Sequence, residues 1–214
     1  MDTQNIKELY KNFCGYFGIN EKTINNTVKN IKSSMNGLEK LYGAFGGQSY
    51  SKGLYRIHTI DSAVKWNSIV TETFPEFGKR ITCFGYDWLG RQFALDNQRV
   101  ENGQQQVLMF EPGTGEVLEI PCNIVQFHEE EIPEFNDSCL ASDFFKEWIS
   151  IYPNEIKISE CVGYKTMLFL GGEDTVQNLE KGNMDVYWGI CSQLIQKTNG
   201  LPEGTIVKGI GFSE

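Results

Sequence analysis

Four short apolar segments between residues 80 and 120, separated by turn residues, constrain the fold more than any other feature of this sequence. Segments 80–86 and 91–96 flank Asp87-Trp88-Leu89-Gly90, and segments 107–110 and 116–120 flank Pro112-Gly113-Thr114-Gly115. Apolar runs joined by such turn residues are typical of β-hairpins. The spacing predicts four strands in an antiparallel meander. The polar stretch 97–106 between the two pairs is expected to be a loop.

The residues before this meander have a helical period. Ile6, Leu9, Tyr10, Phe13 and Phe17 follow the spacing of one helix face, with Gly18 as a candidate C-cap. Asn20 fits the N-cap of a second helix whose apolar stripe comprises Ile24, Val28, Ile31, Met35, Leu38 and Tyr42. A short strand at 54–58 then leads to a helix with cap candidates at 59–62 and an exit at Pro75 and Gly78.

The chain beyond residue 120 is expected to be mostly helical. Segment 128–133 is interpreted as a loop or frayed turn, and Ser142 as the cap of a helix over 143–152. A run at 164–170 ends at Gly171-Gly172, and a short helix at 174–181, a strand running into a helix at 186–197 and an edge strand at 204–212 follow. The predicted class is α+β, with N-terminal helices, an antiparallel β-meander and a C-terminal helical or mixed subdomain. Because no Gly-, Ser- or Pro-rich linker separates them, subdomains 1–120 and 121–214 are expected to pack closely.

Charge is unevenly distributed along the chain, whose formal net charge is −9. Residues 111–155 contain 11 acidic residues and one basic residue, Lys146. A nucleic-acid-binding surface needs the opposite sign, because its affinity comes mainly from neutralising phosphates. Direct binding of DNA or RNA is therefore not expected. The acidic stretch is either an ordinary solvated surface or a surface that attracts a basic partner.

The sequence has no recognised targeting or membrane segment. The first residues lack the basic start and apolar centre of a signal peptide, and no apolar run approaches the length of a membrane span. The expectation is a cytoplasmic protein without membrane contact. The six cysteines show no metal or redox spacing and are interpreted as buried thiols.

No motif for catalysis, a cofactor or a metal is found. The two histidines, His58 and His128, lie outside any metal-binding pattern, and the glycine-rich segments lack the lysine of a phosphate-binding loop. His58 is interpreted as a structural histidine, with a base in an unrecognised site as the alternative. His128 is interpreted as part of a solvated loop, with a ligand of a divalent ion as the alternative. Trp88 at the predicted hairpin tip is either packed on the sheet, the favoured interpretation, or exposed as a binding anchor.

Several blocks of the sequence resemble a known pair of domains. Phe45-Gly46-Gly47, 53–58 and 84–93 are similar to a GAD-like domain. Segments 143–149 and 161–172, with Asn178-Leu179, are similar to the domain that follows it in type VI secretion DNase immunity proteins. The resemblance implies a non-catalytic antidote that binds a secreted toxin. The matching residues are turn and core residues, so the resemblance assigns no contact residue.

The acidic stretch is compatible with this implication, because nucleases are commonly basic and an acidic inhibitor can be attracted to them. The predicted partner-binding residues are Glu129, Glu130, Glu131, Glu134 and Asp137, with Asp87 and Trp88 as a second patch. The predicted partner is a cognate toxin, expected to be a basic nuclease. The oligomeric state is left open. Two alternatives remain: a regulatory or scaffolding module with another protein partner, and an enzyme with a site around His58.

Overall fold

A computed structural model describes residues 3–24 and 37–201 of the chain. In this part, N-terminal helices precede a six-stranded antiparallel sheet, which is followed by further helices and a two-stranded sheet. The predicted α+β class is therefore confirmed. The stripe residues Val28, Ile31 and Met35, and the edge strand expected at 204–212, lie outside the described residues.

The N-terminal region consists of short helices. Helices α1 (Thr3–Leu9) and α2 (Lys11–Phe17) are separated by Tyr10, whose ψ of 43° interrupts the helical backbone. Gly18 ends α2 in the left-handed conformation, as predicted for a C-cap. Asn20 caps a single 3₁₀ turn, Glu21–Thr23, by accepting the N–H of Lys22. Helix α3 (Leu38–Phe45) carries Leu38 and Tyr42 of the second predicted stripe, whereas Ile24 follows the 3₁₀ turn as its C-cap.

The large sheet is a meander whose strand order follows the chain. Its strands are β1 (Ser49–Tyr50), β2 (Tyr55–Ile57), β3 (Ile81–Asp87), β4 (Gln92–Glu101), β5 (Gln104–Glu111) and β6 (Glu116–Ile120). The prediction of a loop at 97–106 is wrong, because β4 and β5 extend through this segment as an exposed hairpin. Asn102 and Gly103 both have positive φ, the conformation of a tight two-residue turn. The polar composition of this segment reflects exposure of the hairpin.

Helices cover both faces of this sheet. Along β5, Val107 and Met109 face one apolar cluster, whereas Leu108 and Phe110 face the other, as the two-residue period of a strand requires. The second cluster contains residues of helix α4 (Ile60–Thr73) and helix α9 (Met184–Thr198). Helix α4 begins at the predicted cap, where Thr59 and Ser62 form a capping box.

Besides the N-terminal helices, the first cluster includes helices that follow the meander. They are α5 (Ile124–Gln126), a π-helical turn (Phe127–Glu131), α6 (Ile132–Glu134), α7 (Asn136–Leu140) and α8 (Ser142–Ile151). The prediction of a loop or frayed turn at 128–133 is therefore wrong, because these residues belong to one helical segment, 124–134. The N-cap predicted at Ser142 is also wrong. The N-cap of α8 is Ala141, and the Asp137 carboxylate accepts the N–H of Asp143.

The two-stranded sheet pairs β7 (Glu160–Tyr164) with β8 (Leu179–Asn183). Of the run at 164–170, Tyr164 ends β7, and Leu168–Leu170 forms a 3₁₀ turn. The short helix expected at 174–181 is limited to one 3₁₀ turn, Val176–Asn178, before β8 begins. The amide of Asn178 donates to the carbonyls of Thr166 and Glu173 and fixes this turn. The strand expected at the start of 186–197 is wrong, because the whole segment is helical, within α9.

Contacts cross the boundary between the two predicted subdomains. The Arg56 guanidinium, fully buried, donates to the carbonyls of Lys157 and Glu160 at 2.8 and 2.6 Å. The indole N–H of Trp88 donates to the carbonyl of Leu140 at 2.9 Å. The division into 1–120 and 121–214 stays a prediction, but the first apolar cluster contains residues of both. All six cysteines are buried and free, as predicted.

Candidate functional site

The predicted patch of Asp87 and Trp88 does not lie on the surface. Both residues are fully buried at the β3–β4 turn. One Asp87 oxygen accepts the N–H groups of Leu89 and Arg91, and the other pairs with the Arg91 guanidinium at 2.5 Å. The ring of Trp88 packs against Phe144 and Phe145. The structure therefore corrects the prediction of this patch, because neither side chain is accessible to a partner. The favoured interpretation of Trp88 as packed on the sheet is confirmed.

Glu129 links two helices. Its carboxylate oxygens accept the backbone N–H groups of Asn12 and Phe13 at 3.1 Å each, in the first turn of α2. These N–H groups have no acceptor within a helix, and a carboxylate there is stabilising. In return, the Asn12 side-chain amide donates to the Glu129 carbonyl at 3.1 Å. Pro133, four residues later, has no N–H to give to that carbonyl. We call this pair of contacts the Asn12–Glu129 link.

The other predicted acidic residues differ in exposure. Glu131 is half-buried, and its carboxylate lies 3.9 Å from the Cys139 thiol. Burial, together with the charge of Glu131, raises the pKa of Cys139 to about 12. Asp137 is exposed but uses one oxygen to cap α8. Glu130 and Glu134 are exposed and lie about one helical turn apart.

An exposed aromatic residue lies among these carboxylates. Phe135 has 53% of its surface exposed, and within residues 3–24 and 37–201 no other phenylalanine is classed as exposed. It occupies the break between helices α6 and α7. We call the surface formed by Glu130, Glu134, Phe135 and Asp137 the acidic face. The sequence analysis overlooked Phe135, although a phenylalanine flanked by Glu134 and Asn136 is an available signal.

Both histidines are buried, so the solvated position expected for His128 is wrong. His128 donates from Nδ1 to the carbonyl of Ile124 at 2.7 Å, and its Nε2 accepts the hydroxyl of Tyr55 at 3.0 Å. His58 contacts Gln92 and Ser62 through its two nitrogens. Burial lowers the pKa of each histidine from 6.5 to about 4, so both are neutral at pH 7. These contacts account for both nitrogens of His58, which leaves none to act on a substrate.

Two further features bear on the kind of site present. Among the described residues, no group of three or more His, Cys, Asp or Glu side chains is arranged to hold a metal ion. None of the helices described is both long and apolar enough to cross a membrane.

Comparison with known proteins identifies the region that contains the acidic face. Residues 125–195 match the family model of the T6SS immunity protein Tdi1, C-terminal. The C-terminal part of the chain is thus similar to an immunity protein of the type VI secretion system. This matched segment includes all five acidic residues predicted at 129–137. The resemblance of the N-terminal part to a GAD-like domain stays a prediction.

A solved structure shares the fold. The crystal structure of Atu4351 from Agrobacterium tumefaciens superposes with a TM-score of 0.51 over 86% of this chain and 88% of that one, at 13% sequence identity. At this identity the likeness concerns the fold alone. It spans both sides of residue 120, so the helices, meander and C-terminal part occur together in that protein too. A search of curated proteins found no match.

Proposed function

We propose that this protein is an immunity protein that binds a cognate secreted toxin through the acidic face and blocks it without catalysis. The observation that carries this proposal is the match of residues 125–195 to a type VI secretion immunity domain, within which the acidic face lies. Binding by occlusion requires a rigid scaffold and a complementary surface, and no reacting group.

The composition of the acidic face supports a basic partner. Exposed carboxylates at its edge accelerate association with a positively charged protein, whereas an exposed aromatic side chain is the common anchor of an interface. Phe135 occupies the anchor position and Glu130 and Glu134 the charged surroundings. A nuclease is the toxin class that best fits, because it holds phosphate backbones with basic residues. We therefore place the protein's action in the cytoplasm, where such a toxin finds its substrate.

The Asn12–Glu129 link limits which residues can test this proposal. Glu129 and Asp137 accept backbone N–H groups, so changing them alters folding as well as the surface. Glu130 and Glu134 are exposed, which makes the double variant Glu130→Lys/Glu134→Lys a cleaner probe. The matched control is Glu72→Lys/Glu76→Lys, which makes the same charge change at the end of α4 and in the turn after it, on the opposite side of the sheet.

The experiment measures association with the purified toxin by stopped flow at several salt concentrations. We expect the Glu130→Lys/Glu134→Lys variant to associate at least about tenfold more slowly at low salt, with the difference shrinking as salt screens the charges. Phe135→Ala should instead increase the dissociation rate about tenfold or more. Cells expressing either variant should lose protection against the toxin. Equal rates for the double variant and its control would refute the acidic face as the binding surface.

A further inference from the structure

A groove lies in the C-terminal part, between the end of α8 and strand β8. We call it the Trp148 groove. Its volume is about 470 Å³, and its lining includes Trp148, Tyr152, Lys165 and Lys181. Tyr152 is 49% exposed, and its ring packs on Trp148 with centroids 4.2 Å apart. The groove therefore combines an aromatic wall with two ammonium groups, in a protein whose net charge is −9.

The Trp148 side chain is the unusual component of this groove. It is only 3% exposed, and its indole N–H has no acceptor among the described residues. The indoles of Trp88 and Trp188, by contrast, donate to the carbonyls of Leu140 and Gly90. A buried donor without an acceptor is rare in folded proteins and costs stability. The N–H itself has no accessible surface, so Trp148 contributes its ring to the groove and leaves the polar contacts of a ligand to other residues.

The charges around the groove favour a carboxylate as that ligand. Lys165 donates to the Gln177 carbonyl at 2.8 Å, which holds the ammonium group without neutralising it. Lys181 lies 3.6 Å from Glu160, and Glu180 also lines the groove. A third ammonium group, that of Lys52, donates to the carbonyl of Pro153 at the rim. Three lysines therefore surround the groove, against two glutamates.

The adjacent strand indicates that the ligand is an extended chain. Residues 180–183 of β8 are exposed, and within the described residues β8 pairs with β7 alone. The outer edge of β7 is covered, since Val162 donates its N–H to the Trp88 carbonyl. A second groove of about 420 Å³ shares Lys165, Glu180 and Lys181 with the first. An open strand edge flanked by grooves is the arrangement to which an extended peptide adds as a further strand.

We propose that the edge of β8 and the Trp148 groove bind an extended acidic segment of a partner protein, whose backbone pairs with β8 and whose carboxylates contact Lys165 and Lys181. This surface is distinct from the acidic face, and its ligand has the opposite charge. The proposal therefore does not depend on the proposed function. A protein with both surfaces can hold a basic and an acidic partner surface at the same time.

The test uses an acetylated and amidated eight-residue peptide of alternating threonine and glutamate, added to the full-length ¹⁵N-labelled protein. We expect a Kd of about 100 µM and shifts of the backbone N–H resonances of residues 180–183, which lie at the strand edge. The same peptide with glutamine in place of glutamate should bind at least about tenfold more weakly. Lys181→Glu should also weaken binding about tenfold.

Two variants make the result specific. Tyr152→Ala removes the exposed ring from the groove wall, and should weaken binding several-fold. Lys197→Glu makes the same charge change as Lys181→Glu in the last turn of α9, and should leave binding unchanged. The proposal is overturned if no binding is seen at millimolar peptide, if the glutamine peptide binds equally, or if Lys181→Glu and Lys197→Glu behave alike. Toxin binding through the acidic face should survive Lys181→Glu, which separates the two proposals.

Discussion

The buried histidine His128 leads to a quantitative prediction about acid stability. Its two nitrogens already have partners in the neutral form, Ile124 and the Tyr55 hydroxyl, and the ring packs edge-on against Phe13 with centroids 5.0 Å apart. Protonation would place a charge in this aromatic layer. Burial therefore lowers the pKa of His128 from 6.5 to about 4.

The sign of the effect follows from which state takes up the proton. In the unfolded chain the histidine is protonated below about pH 6.5, whereas in the folded protein it stays neutral down to about pH 4. The contribution of neutral His128 to the free energy of unfolding is thus fully present above pH 6.5, and it is lost as the pH falls from 6.5 to 4. The complete loss is about 3.4 kcal/mol, of which about 1.8 kcal/mol falls between pH 7 and pH 5. His58 adds a similar amount.

Urea denaturation at pH 7 and pH 5 measures this loss. For the wild type we expect the free energy of unfolding to fall by about 3.5 kcal/mol from the two histidines together. In His128→Asn the amide can still donate to the Ile124 carbonyl, and the fall should be about 1.8 kcal/mol smaller than in the wild type. The carboxylates are the same in both proteins, so the difference isolates His128.

Nuclear magnetic resonance provides a direct check. The chain has two histidines, so their ring resonances are easily assigned with His128→Asn, and neither should titrate between pH 8 and pH 5. A His128 resonance that titrates near pH 6.5, or an unchanged pH dependence of unfolding in His128→Asn, would refute the reasoning.

Two further predictions concern buried and interhelical contacts. Asn12→Ala removes the donor to the Glu129 carbonyl and should lower the free energy of unfolding by about 1 kcal/mol in urea, whereas Lys11→Ala should have little effect; equal effects would argue against the link. Asp87→Asn leaves the Arg91 guanidinium buried without its counter-charge and should cost about 3 to 5 kcal/mol, measured by thermal and urea unfolding. A loss below about 1 kcal/mol would show that Arg91 finds another partner.

Local patterns predicted much of the fold because they depend on neighbouring residues. The capping box at Thr59 and the left-handed Gly18 are examples, since each requires only residues within one turn. The helix over 128–133 could not be predicted in the same way. Pro133 ordinarily interrupts a helix, and here its missing N–H is compensated by Asn12, which lies 117 residues from Glu129 in the chain.

The candidate sites were harder to predict for the same reason. Asp87 and Trp88 are buried because residues 139–145 pack over the hairpin tip, and a hairpin motif carries no information about such distant segments. The Trp148 groove is assembled from three separate segments, so its two lysines have no sequence signature. Charge composition did locate the stretch containing the acidic face, because that signal is continuous in the chain.

The Asn12–Glu129 link has a consequence for how such a protein could change its target. Glu129 and Glu130 are consecutive, yet one holds two helices together and the other faces solvent. Substitutions at Glu130, Glu134 and Phe135 can therefore accumulate while the architecture beneath them is preserved. A combinatorial library restricted to these three positions, with Asn12 and Glu129 kept constant, should yield many folded members with different specificities, which is what a lineage exposed to changing toxins would need.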